Sequence, residues 1–146
     1  MTAQNEQATQ APVIADTFTW PPTDDPRLIG TRCKTCGTVS FPRSPVCRNP
    51  YCKNKTEVEE ILLSRRGILA TFTLICYPPP WPFIYKPPFV PFPIGNVLLP
   101  EGITVLGQIT GCKYEDLKIG MEAELVLEKL FEEDGKDFIG WRWKVL

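Results

Sequence analysis

Four cysteines within twenty residues limit what this chain can fold into more than any other feature. Cys33 and Cys36 are separated by two residues and are followed at once by Gly37; nine residues then separate Gly37 from Cys47, and four separate Cys47 from Cys52. Two short-looped thiol pairs joined by a longer loop can wrap opposite edges of a tetrahedron, the arrangement zinc takes with thiolates at about 2.3 Å. Glycine directly after the second cysteine permits the positive φ of a tight knuckle, which turns backbone N–H groups toward sulfur. The chain has no histidine, so Cys33, Cys36, Cys47 and Cys52 are the expected ligands of one zinc ion. The four-residue gap in the second pair lies at the loose end of the usual spacing. Two disulfides, or four unrelated thiols, are the alternatives; spacing and compartment favour zinc. Four thiolates leave no position open for water, so the expected site is structural and not catalytic. The segment is too short to bury a core of its own, and metal binding should supply much of its folding energy.

The 146 residues suffice for one ordinary domain or two small ones. Net charge is −1, so no global field selects a polyanionic partner. The balance is uneven: residues 27–66 hold nine Lys/Arg against three Asp/Glu, and the rest of the chain seven against fourteen. A basic cysteine segment and an acidic remainder present two surfaces suited to different partners. The polar N-terminus lacks the apolar stretch of a secretory signal, and no run approaches the ~20 apolar residues of a membrane span. Six thiols, four of them clustered, fit a reducing cytoplasm.

The expected organisation has three parts. Residues 1–17 read as a flexible tail, residues 18–64 as a short helix followed by a rubredoxin-like ribbon, and residues 65–146 as a barrel. Thr23-Asp24-Asp25-Pro26 is a helix-start signal, with Leu28 and Ile29 pinning the helix. Residues 68–76, 94–99 and 103–110 are apolar and β-branched, the last two joined at the Pro100-Glu101-Gly102 turn. Tyr114 opens a single helical turn. Residues 121–128 then alternate apolar with acidic, and residues 139–145 alternate Ile139, Trp141, Trp143 and Val145 with small or basic residues. Five strands with a helical turn before the fourth predict a small closed barrel of the OB type.

One stretch departs from this alternation. Residues 77–93, YPPPWPFIYKPPFVPFP, hold eight prolines and Trp81, Phe83, Tyr85, Phe89 and Phe92. Proline excludes a central strand, and so many aromatics left bare would form a large apolar patch. The loop is therefore read as a partner-docking arm or a lid, with Trp20 as a second anchor; the alternative is that the aromatics fold back to cap the barrel.

The order of a short helix, a Cys-x-x-Cys-Gly ribbon with Phe41-Pro42-Arg43 before the second cysteine pair, Gly67-Ile-Leu-Ala-Thr-Phe-Thr, a Pro-rich segment and Gly120-Met-Glu-Ala-Glu-Leu resembles the zinc-ribbon/OB-fold family of acyl-CoA-associated accessory proteins. The resemblance covers residues 20–145, and the quartet followed by the barrel signals is far more specific than the quartet alone. It extends to the small subunits of benzoylsuccinyl-CoA thiolase of anaerobic toluene degradation. It implies a hetero-oligomer with a thiolase-fold catalytic subunit that makes or breaks C–C bonds in acyl-CoA thioesters, with CoA thioester as ligand of the complex. Trp20, Trp81, Phe83, Tyr85, Phe89 and Phe92 would then face the partner. Arg43, Arg48, Lys53, Arg65 and Arg66 are candidates for holding CoA phosphates, against the alternative of a solvated basic surface. Thiolysis needs an activated cysteine and an oxyanion hole. Cys76 and Cys112 have no evident base and read as buried structural thiols, so catalysis is expected of the partner. Two rival functions are single-stranded nucleic-acid binding, which both modules can support, and a free-standing acyl-CoA carrier. The acidic barrel strands and the aromatics set among prolines speak against the first.

Overall fold

Alternation along the second half of the chain builds the larger sheet. The computed structural model describes residues 10–78 and 87–146. Strands β5 (Arg66–Ile75), β6 (Phe92–Leu98) and β7 (Thr104–Thr110) form an antiparallel meander, and β8 (Glu122–Glu133) and β9 (Lys136–Val145) form a hairpin. The β6–β7 turn is closed by Gly102, at φ 86° with its N–H donating to the Leu99 carbonyl at 2.9 Å. Between β8 and β9, Asp134 and Gly135 both take positive φ (52° and 75°), the backbone hand that matches strand twist in a tight hairpin. Inward residues of the meander and hairpin, among them Leu69, Val97, Val105, Leu125 and Trp143, are fully buried. Before β8 the expected helical turn is one 3₁₀ turn at Tyr114–Asp116.

Closure of this sheet is partial. β5 meets β8 only from Arg66↔Glu124 to Ile68↔Glu122, and β7 runs parallel to β9 only from Gln108↔Arg142 to Thr110↔Lys144. Where β7 has left β9, two indoles replace the ladder: Trp143 donates Nε1–H to the Val105 carbonyl at 3.1 Å and Trp141 to the Leu106 carbonyl at 2.9 Å. A Cβ on Gly107 would lie 2.8 Å from Trp143 Cδ1 and 3.1 Å from Trp141 Cδ1, so glycine is what admits both rings. The expected closed barrel is thus an OB-type barrel not hydrogen-bonded around its whole height.

Two further expectations are corrected. The segment expected to be a tail is strand from Gln10: β1 (Gln10–Pro12) pairs parallel with β9 at Asp137, Phe138 and Ile139, along the edge that β7 does not reach. The helix expected after Thr23 does not form. Pro21, Pro22 and Pro26 remove donors within a few residues, and Pro26 turns Asp25 away from the helical region. Asp25 N–H instead donates to Thr23 Oγ1 at 3.3 Å, and extended chain on either side is joined by Thr19 N–H to Arg27 O and Ile29 N–H to Thr17 O, both 2.9 Å.

The cysteine segment is a three-stranded antiparallel sheet in the order β3 (Val39–Ser40), β2 (Ile29–Cys33), β4 (Val58–Leu62). It does not stand apart from the barrel. Leu28 and Leu63, both fully buried, belong to the same core cluster as Leu69, Leu125 and Trp143. At the junction Trp141 meets Phe18 and Phe41 edge-on, with centroids 6.2 and 5.6 Å away.

Candidate metal centre

The end of β2 and the two knuckles bring the four thiols together. Cys33 closes β2; its N–H donates to the Thr38 carbonyl, and its carbonyl accepts from Gly37 N–H, both at 2.9 Å. Gly37 stands at φ 79°, as the knuckle requires. Cys47 is tied to Lys55 by its N–H at 2.8 Å. All four Sγ atoms lie within 4.8 Å of one another, and the pairs Cys33–Cys52 and Cys36–Cys47 are each 3.6 Å apart. A tetrahedron with Zn–S near 2.3 Å has edges of about 3.8 Å, so the spacing fits zinc. It is far from the ~2.05 Å of a disulfide, and all six cysteines are free. Both close pairs cross from one knuckle to the other.

The donor chemistry fits as well. Each thiol faces a backbone N–H two residues on, Thr38 for Cys36, Asn49 for Cys47 and Asn54 for Cys52, while Cys33 faces that of Cys36 first and that of Thr35 second. The Thr38 hydroxyl, 3.1 Å from Cys36 Sγ, and then the Thr38 N–H hold the Cys36 thiol down at about 6. At Cys52 the Asn54 N–H lowers the value, but burial and the neighbouring thiols outweigh it and push the thiol up to about 12. A divalent cation held by Cys33, Cys36, Cys47 and Cys52 would remove that conflict, since it takes all four as thiolates. Cys33, Cys47 and Cys52 are buried and Cys36 is exposed. Thr38 and Asn49 were not singled out in the sequence; the signal was there, since Thr or Asn stands two residues after every cysteine of the quartet.

Comparison with known proteins bears on the same segment. The model of the rubredoxin-like zinc ribbon domain of ChsH2 matches residues 20–59, and that of the ChsH2 C-terminal OB-fold domain matches residues 60–128. A DUF35 domain-containing scaffold protein of Methanocaldococcus jannaschii is 42% identical over 120 residues, 80% of each chain. The chain belongs to the DUF35 family. The BbsA subunit of benzoylsuccinyl-CoA thiolase from Thauera aromatica is 31% identical to this DUF35 chain over 121 residues, 82% of it and 76% of BbsA. Among solved structures, an Ltp2–ChsH2(DUF35) aldolase superposes with a TM-score of 0.59 at 22% identity, covering 80% of this chain and 84% of that one. That likeness is one of fold.

The other candidate residues of the DUF35 chain do not converge. Arg43 faces Asp16 at 3.2 Å and Glu60 at 2.9 Å; Arg65 faces Asp25 and Glu124; Arg66 faces Glu124 at 3.7 Å. Lys53 is exposed on the second knuckle. Arg48, with Thr38, Ser40, Phe41, Asn49 and Ile103, lines an open cleft of about 600 Å³ between ribbon and barrel. Trp20 is 37% exposed and edge-on to Phe18. Phe89 meets Phe92 edge-on at 6.1 Å, with Tyr77 and Val90 exposed nearby in sequence. Trp81, Phe83 and Tyr85 lie outside the described residues.

The expectation that both remaining cysteines are buried holds only in part. Cys76 is exposed, because it follows the last ladder pair of β5, Ile75↔Phe92, and leaves the sheet. Cys112 packs half-buried against the core, and burial, then the charge of Asp116, push its thiol up. A raised value keeps it a thiol, which is the wrong form for a nucleophile. None of the helices among the described residues is long and apolar enough to cross a membrane.

Proposed function

We propose that this chain is a non-catalytic accessory subunit, stabilised by one zinc on Cys33, Cys36, Cys47 and Cys52, that docks on a thiolase-fold catalytic subunit acting on acyl-CoA thioesters in the cytoplasm. The observation that carries the reading is the 31% and 30% identity to two BbsA subunits of benzoylsuccinyl-CoA thiolase, each over 82% of the chain. C–C cleavage of an acyl-CoA such as benzoylsuccinyl-CoA would be the work of the partner. The thiolate shell is complete with four ligands and has no place for substrate, while the raised Cys112 thiol disfavours attack.

Trp20, Phe89 and Phe92, with Trp81, Phe83 and Tyr85 of the same Pro-rich loop, are the docking residues. Exposed Ile68, Leu98 and Leu106 on the outer side of β5–β7 add apolar surface. Of the basic candidates for CoA phosphate, Arg48 and Lys53 are better placed than Arg43, Arg65 and Arg66, which would exchange an ion pair for the contact. Those same ion pairs weigh against nucleic-acid binding, which asks for a basic groove free to track a backbone.

Affinity capture of the tagged chain from its own host tests the reading. A thiolase-sized subunit should be retained, the eluate should cleave acyl-CoA in the presence of CoA, and the isolated chain should be inert. A chain that runs alone, elutes with nucleic acid, or cleaves acyl-CoA by itself overturns it.

A further inference from the structure

We propose that Asn49 is the positioning residue that makes the four-residue gap of the second cysteine pair competent to hold zinc; this rests on the zinc reading of the quartet. The first knuckle has two intervening residues and is closed by the Gly37 N–H to Cys33 carbonyl and Cys33 N–H to Thr38 carbonyl bonds, both 2.9 Å. The second has two residues more to fix, and outside Asn49 it is held by the Cys47 N–H to Lys55 carbonyl bond at 2.8 Å. Asn49 supplies further constraints from one position. Its backbone N–H donates to Cys47 Sγ at 3.4 Å, and its carbonyl accepts from Cys52 N–H at 3.1 Å and from the Lys55 ammonium at 2.8 Å. Its side-chain Oδ1 accepts from Tyr51 N–H at 3.0 Å, which folds the extra residues into a turn nested inside the gap.

The amide then reaches across to the other knuckle. Nδ2 donates to Thr38 Oγ1 at 3.4 Å and approaches Cys36 Sγ at 3.8 Å. Asn49 therefore touches Cys47 and Cys36, whose sulfurs lie 3.6 Å apart across the knuckles. Its role is not tolerance of an unusual backbone, because its φ is not positive. Asn54 is the built-in comparison. It stands in the same place after Cys52 and its carbonyl meets Cys33 Sγ at 3.9 Å, but its side chain accepts from the Thr56 hydroxyl, at 3.4 Å, on its own side of the site. Groups that orient metal ligands typically change affinity by about 10–100-fold when removed.

The test uses the full chain loaded with zinc. Transfer of zinc to excess 4-(2-pyridylazo)resorcinol gives retention, and the thiolate-to-metal absorption of the cobalt-substituted protein reports the tetrahedral shell. Near-ultraviolet dichroism of the barrel tryptophans reports folding. Asn49→Ala is expected to weaken retention about 10–100-fold and to alter the cobalt spectrum, with the barrel signal unchanged, while Asn54→Ala behaves as wild type. Asn49→Asp keeps the acceptor for Tyr51, loses the donor to Thr38 and adds charge beside Cys36; it should fold and still release zinc faster than wild type. If Asn49→Ala fails to fold, Asn49→Asp decides. The proposal is overturned if the Asn49 variants hold zinc like wild type, or if Asn54→Ala weakens it equally. A wild-type chain that carries no zinc overturns the zinc reading along with it.

Discussion

Cys76 and Cys112 carry the same side chain into different surroundings, and their chemistry should part accordingly. Exposed Cys76 is expected to react with a thiol reagent in the native protein, with Cys112 lagging until unfolding; mass mapping of the labelled peptide checks this. Burial and the charge of Asp116 raise Cys112 above its ordinary 9.0. The unfolded chain ionises first, so its contribution to stability is full below that pH and is lost as pH climbs through the raised folded value. Cys112→Ala should flatten the fall in urea midpoint as pH rises past 9.0. At the metal, Cys33→Ser should abolish tight zinc retention whereas Cys76→Ser leaves zinc content unchanged, as elemental analysis would report. The quartet was legible because its spacing is local. The partners of Arg43, Arg65 and Arg66 were not, since Glu60 and Glu124 reach them only through strand pairing.

The seam between β7 and β9 depends on one glycine. Gly107→Ala places a methyl within 3.1 Å of both indoles, and overpacking of that kind costs about 1–3 kcal/mol. The urea midpoint should fall while zinc content holds; an unchanged midpoint would show that the indoles can move aside freely. Period-two alternation made the strands readable: Ala123, Leu125, Trp143 and Val145 are buried as their positions predict. The helix after Thr23 was misread because a capping signal is local. Three prolines and the long-range bridge of Phe18 to Leu28 decided that segment instead. Likewise β1 exists because β9 outruns β7, a mismatch no window of sequence contains.

Across the whole molecule, ribbon and barrel share a core through Leu28 and Leu63. Removing zinc with a chelator should therefore lower the midpoint of one common unfolding transition rather than melt the ribbon separately; two resolved transitions in calorimetry would refute the coupling. For assembly, Trp81→Ala with Phe83→Ala is expected to weaken the complex with a thiolase-fold subunit by several kcal/mol, given about 2 kcal/mol or more per aromatic hot spot. Calorimetry of the mixed subunits measures it, and a variant that binds normally but loses its own fold would make the loop a barrel cap. The amino-acid sequence alone determined which four thiols cluster, the β class and the strand faces, because cysteine spacing and alternation are properties of neighbouring residues. Only the tertiary structure decided where β7 leaves β9, how ribbon and barrel join around Trp141, which arginines are already paired, and that Asn49 reaches from one knuckle to the other. Each of these depends on residues brought together from distant parts of the chain by packing and strand register.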